Sequence, residues 1–355
     1  MGALTCWDGV WYVNIAREGY WYDPLKRSPV AFFPAYPLLG RAVARCCTGL
    51  SENAALLVVS NLAFLGSLVL LMDYVRGRWP ADDAAVGMET LLVIALWPTG
   101  VFFRVAYSEA LFLFVCLLAM YGMQRRWPLI LLAGIVGLGT ACRPVGVALI
   151  PVLLLHLWQE NRRWTPFLRR AAWLLPVASW GILAYMAFQY LAFGDALAFV
   201  KTQERWRVRH AASLVHHAVN LAILEPLWSV YVPSSEAYWA RWEHVRNPLF
   251  SLQFANPVYF ATAAALLAYG AWRRWLSSLE VVLGAGLLLI PYLTHAYQVV
   301  MMGHGRYAVV VFPAYIVLGR LLQRIPREVL GLLCALSGFL MGSYAALLAA
   351  WYRFF

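Results

Sequence analysis

Apolar residues in this chain run in long blocks separated by short polar stretches that carry arginine. A bilayer core of about 30 Å needs roughly 20 apolar residues at 1.5 Å each. That ruler predicts helical spans near Ala54–Val75, Ala85–Phe103, Ala106–Met123, Pro128–Ala141, Val145–Trp158, Ala171–Phe193, Ser251–Ala271, Leu279–Tyr297, Tyr307–Leu318 and Val329–Trp351. The fourth and fifth are short and flank Arg143-Pro144. Proline has no amide hydrogen with which to continue a helix, so two short helices are expected to meet there at one membrane face. The predicted fold is all-α, a polytopic membrane helix bundle of about 10 spans forming one integral domain over residues 1–355.

Lysine and arginine counts orient it. With the segment before Ala54 outside, the inward loops carry Arg76 and Arg78, Arg125 and Arg126, four arginines between Arg162 and Arg170, Arg273 and Arg274, and Arg320, Arg324 and Arg327. The short outward turns hold one apiece, Arg104, Arg143 and Arg306, the bias expected of cytoplasmic against outer loops. Ten crossings also put the C-terminal Trp351-Tyr352-Arg353 outside. Two longer segments lie outside. Residues 1–53 hold an aromatic-acidic stretch and then Phe32–Cys47, where Arg41 and Arg45 make a polar stripe on a short apolar helix expected in the interface. Residues 194–250 form a long loop rich in Trp, His and both charge signs, and long loops of this kind usually bind or act.

Composition narrows the class. At 63% hydrophobic and 13% charged over 355 residues the chain is neither an ordinary soluble domain nor disordered. The net charge of +11 sits in loop arginine clusters rather than a nucleic-acid-binding patch, so no nucleic acid is expected as a partner. None of the six cysteines has C-x-x-C spacing. No cofactor is indicated, and the question of a divalent metal stays open.

Polar residues that a lipid-facing helix would avoid converge on the outer face. They are Asp8, Glu18 and Asp23; Arg104, Ser108 and Glu109; Arg143; Lys201, Gln203, Glu204 and Arg205; and His304 and Arg306. Carboxylates beside cations suit a reaction between a neutral hydroxyl and a phosphate-bearing lipid. The carboxylate takes the hydroxyl proton, and arginine stabilises the leaving phosphate. Plainer readings stand beside this one. Asp8 suits a helix cap, Glu109 and Arg104 can pair with each other, and Tyr36, Trp97 and Trp206 suit packing or an interface belt. His210, His216 and His217 lack the spacing of a helical metal pair. A polytopic transporter of a lipid-linked or anionic substrate is the alternative class.

The run W-D-G-V-W-Y-V-N-I-A-R-E-G-Y (Trp7 to Tyr20) followed by A-F-F-P-A-Y-P-L-L-G-R (Ala31 to Arg41) resembles the first-loop signature of the PIG-V-like mannosyltransferases, the GPI mannosyltransferase 2 family and its bacterial relatives. W-P-T-G-V-F-F-R-V-A-Y-S-E-A-L-F (Trp97 to Phe112), A-C-R-P-V-G (Ala141 to Gly146), A-F-V-K-T-Q-E-R-W (Ala198 to Trp206) and G-H-G-R-Y-A-V-V-V-F-P (Gly303 to Pro313) continue the resemblance in order. It implies a GT-C glycosyltransferase that moves a sugar, mannose by family, from a polyprenyl-phosphate carrier to a hydroxyl of a glycan or glycolipid acceptor, outside the cytoplasm and with inversion. The membrane would be the plasma membrane in a bacterium and the endoplasmic reticulum in a eukaryote. The resemblance assigns catalysis to Asp8. The expected substrate-binding set is Trp7, Arg104, Ser108, Glu109, Arg143, Lys201, Gln203, Arg205, His304 and Arg306. The family also has a span before the first loop, so an eleventh, N-terminal span is expected upstream of Met1.

Overall fold

The computed structural model describes residues 2–78, 83–242 and 247–352, and among these every regular element is helical. Arg353 lies outside the described residues. In chain order the α-helices are α1 (Asp8–Glu18), α2 (Ala35–Cys46), α3 (Glu52–Arg76), α4 (Asp83–Leu96), α5 (Glu109–Gln124), α6 (Leu129–Cys142), α7 (Leu149–Asn161), α8 (Trp164–Ala178) and α9 (Trp180–Phe193). After them come α10 (Ala198–Lys201), α11 (Leu214–Ala222), α12 (Glu225–Ser229), α13 (Leu252–Trp272), α14 (Ser278–Pro291), α15 (His304–Ala308), α16 (Phe312–Leu322) and α17 (Arg327–Ala349).

Local chemistry sets the long helices. Ser51 accepts the Ala54 amide at 3.4 Å to start α3, and Glu52 in its first turn and Arg76 in its last complement the helix dipole. Its 25 residues reach about 37 Å, enough for the bilayer core. Leu62, Leu65 and Val69 are exposed on one face, while Ser60, Phe64, Ser67 and Leu71 are buried on the other against α5. Three helical stretches among the described residues are long and apolar enough to cross a membrane: Glu52–Arg76, Ser278–Ala296 and Arg327–Ala349. The bent pair α8 and α9 makes a fourth if counted as one span, and the shorter apolar helices run 10–17 residues.

Several expected spans are broken where the chain cannot hold one straight helix. Ala171–Phe193 is two helices meeting at 50°, with Pro176 lacking its amide donor just before the break at Ser179. Tyr307–Leu318 is divided between α15 and α16, because Pro313 suits the first turn of a new helix and cannot extend an old one. Ala85–Phe103 stops being α-helical at Leu96, before Pro98, and continues as a tighter turn over Pro98–Phe103. Ser251–Ala271 corresponds to α13, whose apolar run is interrupted by the buried Gln253 and Asn256. The expected pair of short helices around Arg143-Pro144 is present as α6 and α7.

Two contacts place the elements around the candidate site. Arg41 of α2 donates from Nε to Ala16 O at 2.6 Å and from Nη2 to Ile15 O at 2.7 Å, capping the C-terminal carbonyls of α1. On the other side, α6 meets α9 through Gly137 and Gly181, and Trp180 Nε1 donates to Gly134 O at 3.0 Å. A side chain at Gly181 would overlap the Gly137 carbonyl and Ala141, so only glycine lets these backbones approach. Gly181→Ala is expected to cost about 1–3 kcal/mol of stability, read as a lowered midpoint in denaturation of the detergent-solubilised protein. An unchanged midpoint would mean that α9 is not docked through this seam.

Candidate active site

Helix α1 begins at an abrupt turn. Trp7 has φ 55° and ψ −118°, a conformation unfavourable for any residue with a side chain, and it delivers Asp8 to the first position of the helix. There the Asp8 amide donates to Tyr107 Oη at 3.3 Å, and the carboxylate stands at the positive end of the helix dipole. Glu109 occupies the matching first position of α5 and is 2% exposed. Arg143 is extended between α6 and the following turn, the backbone that a succeeding proline imposes. Arg306 lies in α15, entered through Gly303 at φ 75°.

These four side chains make one ion network. Arg306 Nη1 is 2.5 Å from Asp8 Oδ2 and its Nε is 3.3 Å from Glu109 Oε1, while Arg143 Nη1 is 2.5 Å from the same Glu109 oxygen. The Tyr307 ring lies under both guanidinium groups, at 5.6 Å from Arg143 and 5.3 Å from Arg306, and Tyr107 is also 5.3 Å from Arg306. Two carboxylates against two guanidinium groups leave the cluster formally neutral. That is how four charges tolerate partial exclusion from water. Tyr12, one turn after Asp8, hydrogen-bonds Ser108 Oγ at 2.9 Å. Burial and then the Glu109 charge push its phenol well above the ordinary range, so it stays a neutral hydroxyl and leaves proton acceptance to the carboxylates.

The network forms one wall of a cavity of about 370 Å³. Asp8, Glu109, Arg143 and Arg306 face in with Arg27 and Gln203, and Trp7, Trp11 and Trp206 line it with aromatic surface. Leu287, Ile290, Pro291, Val299, Met302 and Val310 supply an apolar wall. Such a cavity can hold an anionic group against the guanidinium pair, set a hydroxyl beside Asp8, and bury a hydrocarbon segment. Among the described residues no group of three or more His, Cys, Asp or Glu could hold a metal ion.

Of the residues singled out from sequence, Trp7, Asp8, Glu109, Arg143, Gln203 and Arg306 line this cavity. The others do not. Arg104 ends the turn before α5 with its guanidinium 5.5 Å from the Phe64 ring, on the α3 side, and does not pair with Glu109. Ser108 sits behind the wall, holding Tyr12. Lys201 is exposed and paired with Asp195 at 2.7 Å, and Arg205 donates to Pro24 O at 2.9 Å on the surface. His304 is fully buried, its Nε2 3.3 Å from Pro291 O, and burial pushes its pKa down to about 4, so it carries no charge to offer an anion. Sequence reasoning passed over Trp11, Thr294 and His295 as lining residues. The last two lay in an expected span, where an imidazole is itself an unusual residue.

A model of the family described as Mannosyltransferase (PIG-V) matches residues 1–204. The chain is 34% identical over 133 residues to the GPI alpha-1,6-mannosyltransferase 2 of Rattus norvegicus, a match covering 35% of this chain and 26% of that protein. It is 29% identical over 133 residues to the GPI mannosyltransferase 2 of Drosophila pseudoobscura pseudoobscura, with 35% and 28% covered. The match thus spans about a quarter of the length of these curated relatives. Among solved structures, the Archaeoglobus fulgidus oligosaccharyltransferase tethered with an acceptor peptide superposes over 96% of this chain and 51% of its own, at a TM-score of 0.45 and 13% identity. The archaeal oligosaccharyltransferase AglB in complex with an inhibitory peptide and a dolichol-phosphate gives 96%, 51%, 0.45 and 14%.

The shared Glu109 oxygen makes a stability prediction. Glu109→Ala would leave two largely buried guanidinium groups with Asp8 alone to offset them, at an expected cost of about 3 kcal/mol, whereas Glu109→Gln keeps Oε1 and should lose less. Thermal denaturation in detergent distinguishes them, and equal melting of all three proteins would mean the network is not a mutually compensated unit.

Proposed function

The chain belongs to the PIG-V mannosyltransferase family, and from that premise we propose that it is a membrane glycosyltransferase of GT-C type. It transfers a sugar, mannose by family, from a polyprenyl-phosphate carrier to a hydroxyl of a glycan or glycolipid acceptor outside the cytoplasm. The observation that carries this reading is the mixed lining of one cavity, in which a carboxylate-guanidinium network and a set of apolar side chains share the same space. A polyprenyl-phosphate sugar needs both surfaces at once, cations for its phosphate and hydrocarbon for its first isoprene units. The outer placement is supported by the arginine bias of the loops, and the bilayer setting by the long apolar helices.

In this reading Asp8 accepts the proton of the acceptor hydroxyl as its oxygen attacks the anomeric carbon. A new glycosidic C–O bond forms while the bond from that carbon to the phosphate oxygen breaks, and the electron pair leaves with the polyprenyl phosphate. Arg143 and Arg306 offset the charge that develops on the leaving phosphate. A single displacement of this kind inverts the anomeric centre. Arg306 is paired with Asp8, so a donor phosphate that draws on Arg306 also frees the base for its proton.

Membranes containing the protein are tested with a radiolabelled polyprenyl-phosphate mannose and, separately, with other polyprenyl-linked sugars. Asp8→Asn is expected to lower transfer by about 10²-fold or more without loss of folded protein. A folded variant with near-normal transfer, or a product of retained anomeric configuration, would refute the assignment. Arg143→Ala and Arg306→Ala are each expected to weaken the donor by roughly ten- to a hundredfold while changing the acceptor KM much less. Equal effects on both substrates would place these residues in the scaffold instead.

A further inference from the structure

The donor ligand proposed above, Arg306, sits on a support that cannot stand by itself. Helix α15 has five residues, far too few to be stable alone. The chain reaches it through Val300 at φ 49° and Met301 at φ 63°, two side-chain-bearing residues in the left-handed region, and then Gly303 at φ 75°. Such backbone persists only where surrounding contacts fix it.

Those contacts come from buried polar side chains outside the cavity. Asn256 Oδ1 of α13 accepts the Gly305 amide at 3.0 Å, and Thr99 Oγ1 donates to the Gly305 carbonyl at 3.2 Å. One turn before Asn256, Gln253 donates from Nε2 to the Val300 carbonyl at 2.5 Å, and Asn256 Nδ2 donates to Gln253 Oε1 at 3.3 Å. Thr99 and Asn256 are 0% exposed and Gln253 is 1%. A Cβ at position 305 would fall 2.8 Å from Asn256 Oδ1, so a glycine is needed for the amide to be held this closely. Two amides buried in a helix of this kind are costly unless fully bonded, and what they bond is the peptide on either side of the strained turn and the residue directly before Arg306.

We infer that Asn256, with Gln253 and Thr99, is a positioning residue for phosphate binding. It acts through the backbone of Gly305 to aim the Arg306 guanidinium between Asp8 and Glu109. The inference rests on the donor reading for its function, and on the hydrogen bonds alone for its geometry.

The test is a double-mutant cycle on the full chain in lipid nanodiscs, titrated with a polyprenyl phosphate lacking the sugar. Asn256→Leu keeps the bulk and removes both polar ends, and is expected to weaken binding about tenfold, with Asn256→Asp, which retains an acceptor for the Gly305 amide, recovering most of that loss. In an Arg306→Ala background the Asn256→Leu change should add less than about twofold. Full additivity, or no recovery with Asn256→Asp, overturns the inference. Should Asn256→Leu fail to fold, Thr99→Val loosens the same peptide by an isosteric change and enters the same cycle with the same criteria. Thermal denaturation of the cycle gives a readout independent of the donor. A double variant melting close to the more damaged single one supports the brace, and a fall equal to the sum of both overturns it. If the unsubstituted chain does not bind the polyprenyl phosphate while the melting cycle is non-additive, the donor reading fails and the brace stands.

Discussion

Glu109 Oε1 lies within ion-pair distance of two guanidinium groups at once, and the arrangement of the candidate site follows from that sharing. Arg143 and Arg306 come from well-separated parts of the chain and repel each other. A buried carboxylate between them is what allows both to face one cavity. Arg306 then has a second side free for Asp8, which closes the network at zero net charge. In a region of low dielectric a missing partner is felt strongly, whereas a complete set is only modestly favourable overall. The local devices that bring each member in can therefore be individually strained, as the backbone of Trp7 and of Val300 and Met301 is.

Much of the site was legible from sequence, for reasons particular to each residue. Arg143 announces itself because Pro144 must break the helix on which it sits. Asp8 and Glu109 are acids at the starts of apolar stretches, where neither lipid nor a helix interior would keep them. What sequence does not carry is the pairing. Asp8 and Arg306 are 298 residues apart, and no periodicity links them. Nor does hydropathy tell which way a flanking charge turns. Arg104 is five residues from Glu109 and looks toward Phe64, while Lys201 and Arg205 satisfy themselves at the surface.

The fold shows the same division. The long apolar runs predict helices well, since an apolar segment in a bilayer must satisfy its own backbone. Their breaks were less visible. Pro176 and the Gly137–Gly181 approach turn one expected span into a bent pair, and Pro313 divides another. The described part of residues 194–250 is likewise tied to the helices by specific contacts. Arg209 and Glu225 form a bidentate pair at 2.9 and 2.6 Å, Arg209 stacks 3.8 Å from the Tyr297 ring, and the amides of Val208 and Arg209 both donate to Gln298 O. The loop is thereby fastened to the segment that leads into Arg306, a connection that composition alone cannot reveal.

The Asp8–Arg306 pair also bears on how a turnover ends. In the proposed reaction the spent polyprenyl phosphate remains on the guanidinium that Asp8 held beforehand. Once the proton passes to solvent, Asp8 regains its charge within reach of Arg306, as a tethered competitor at high effective concentration. The anion to be expelled thus meets a rival built into the same chain. In that reaction the site would clear by exchanging one phosphate contact for one carboxylate contact, without leaving the Arg306 cation bare at any stage.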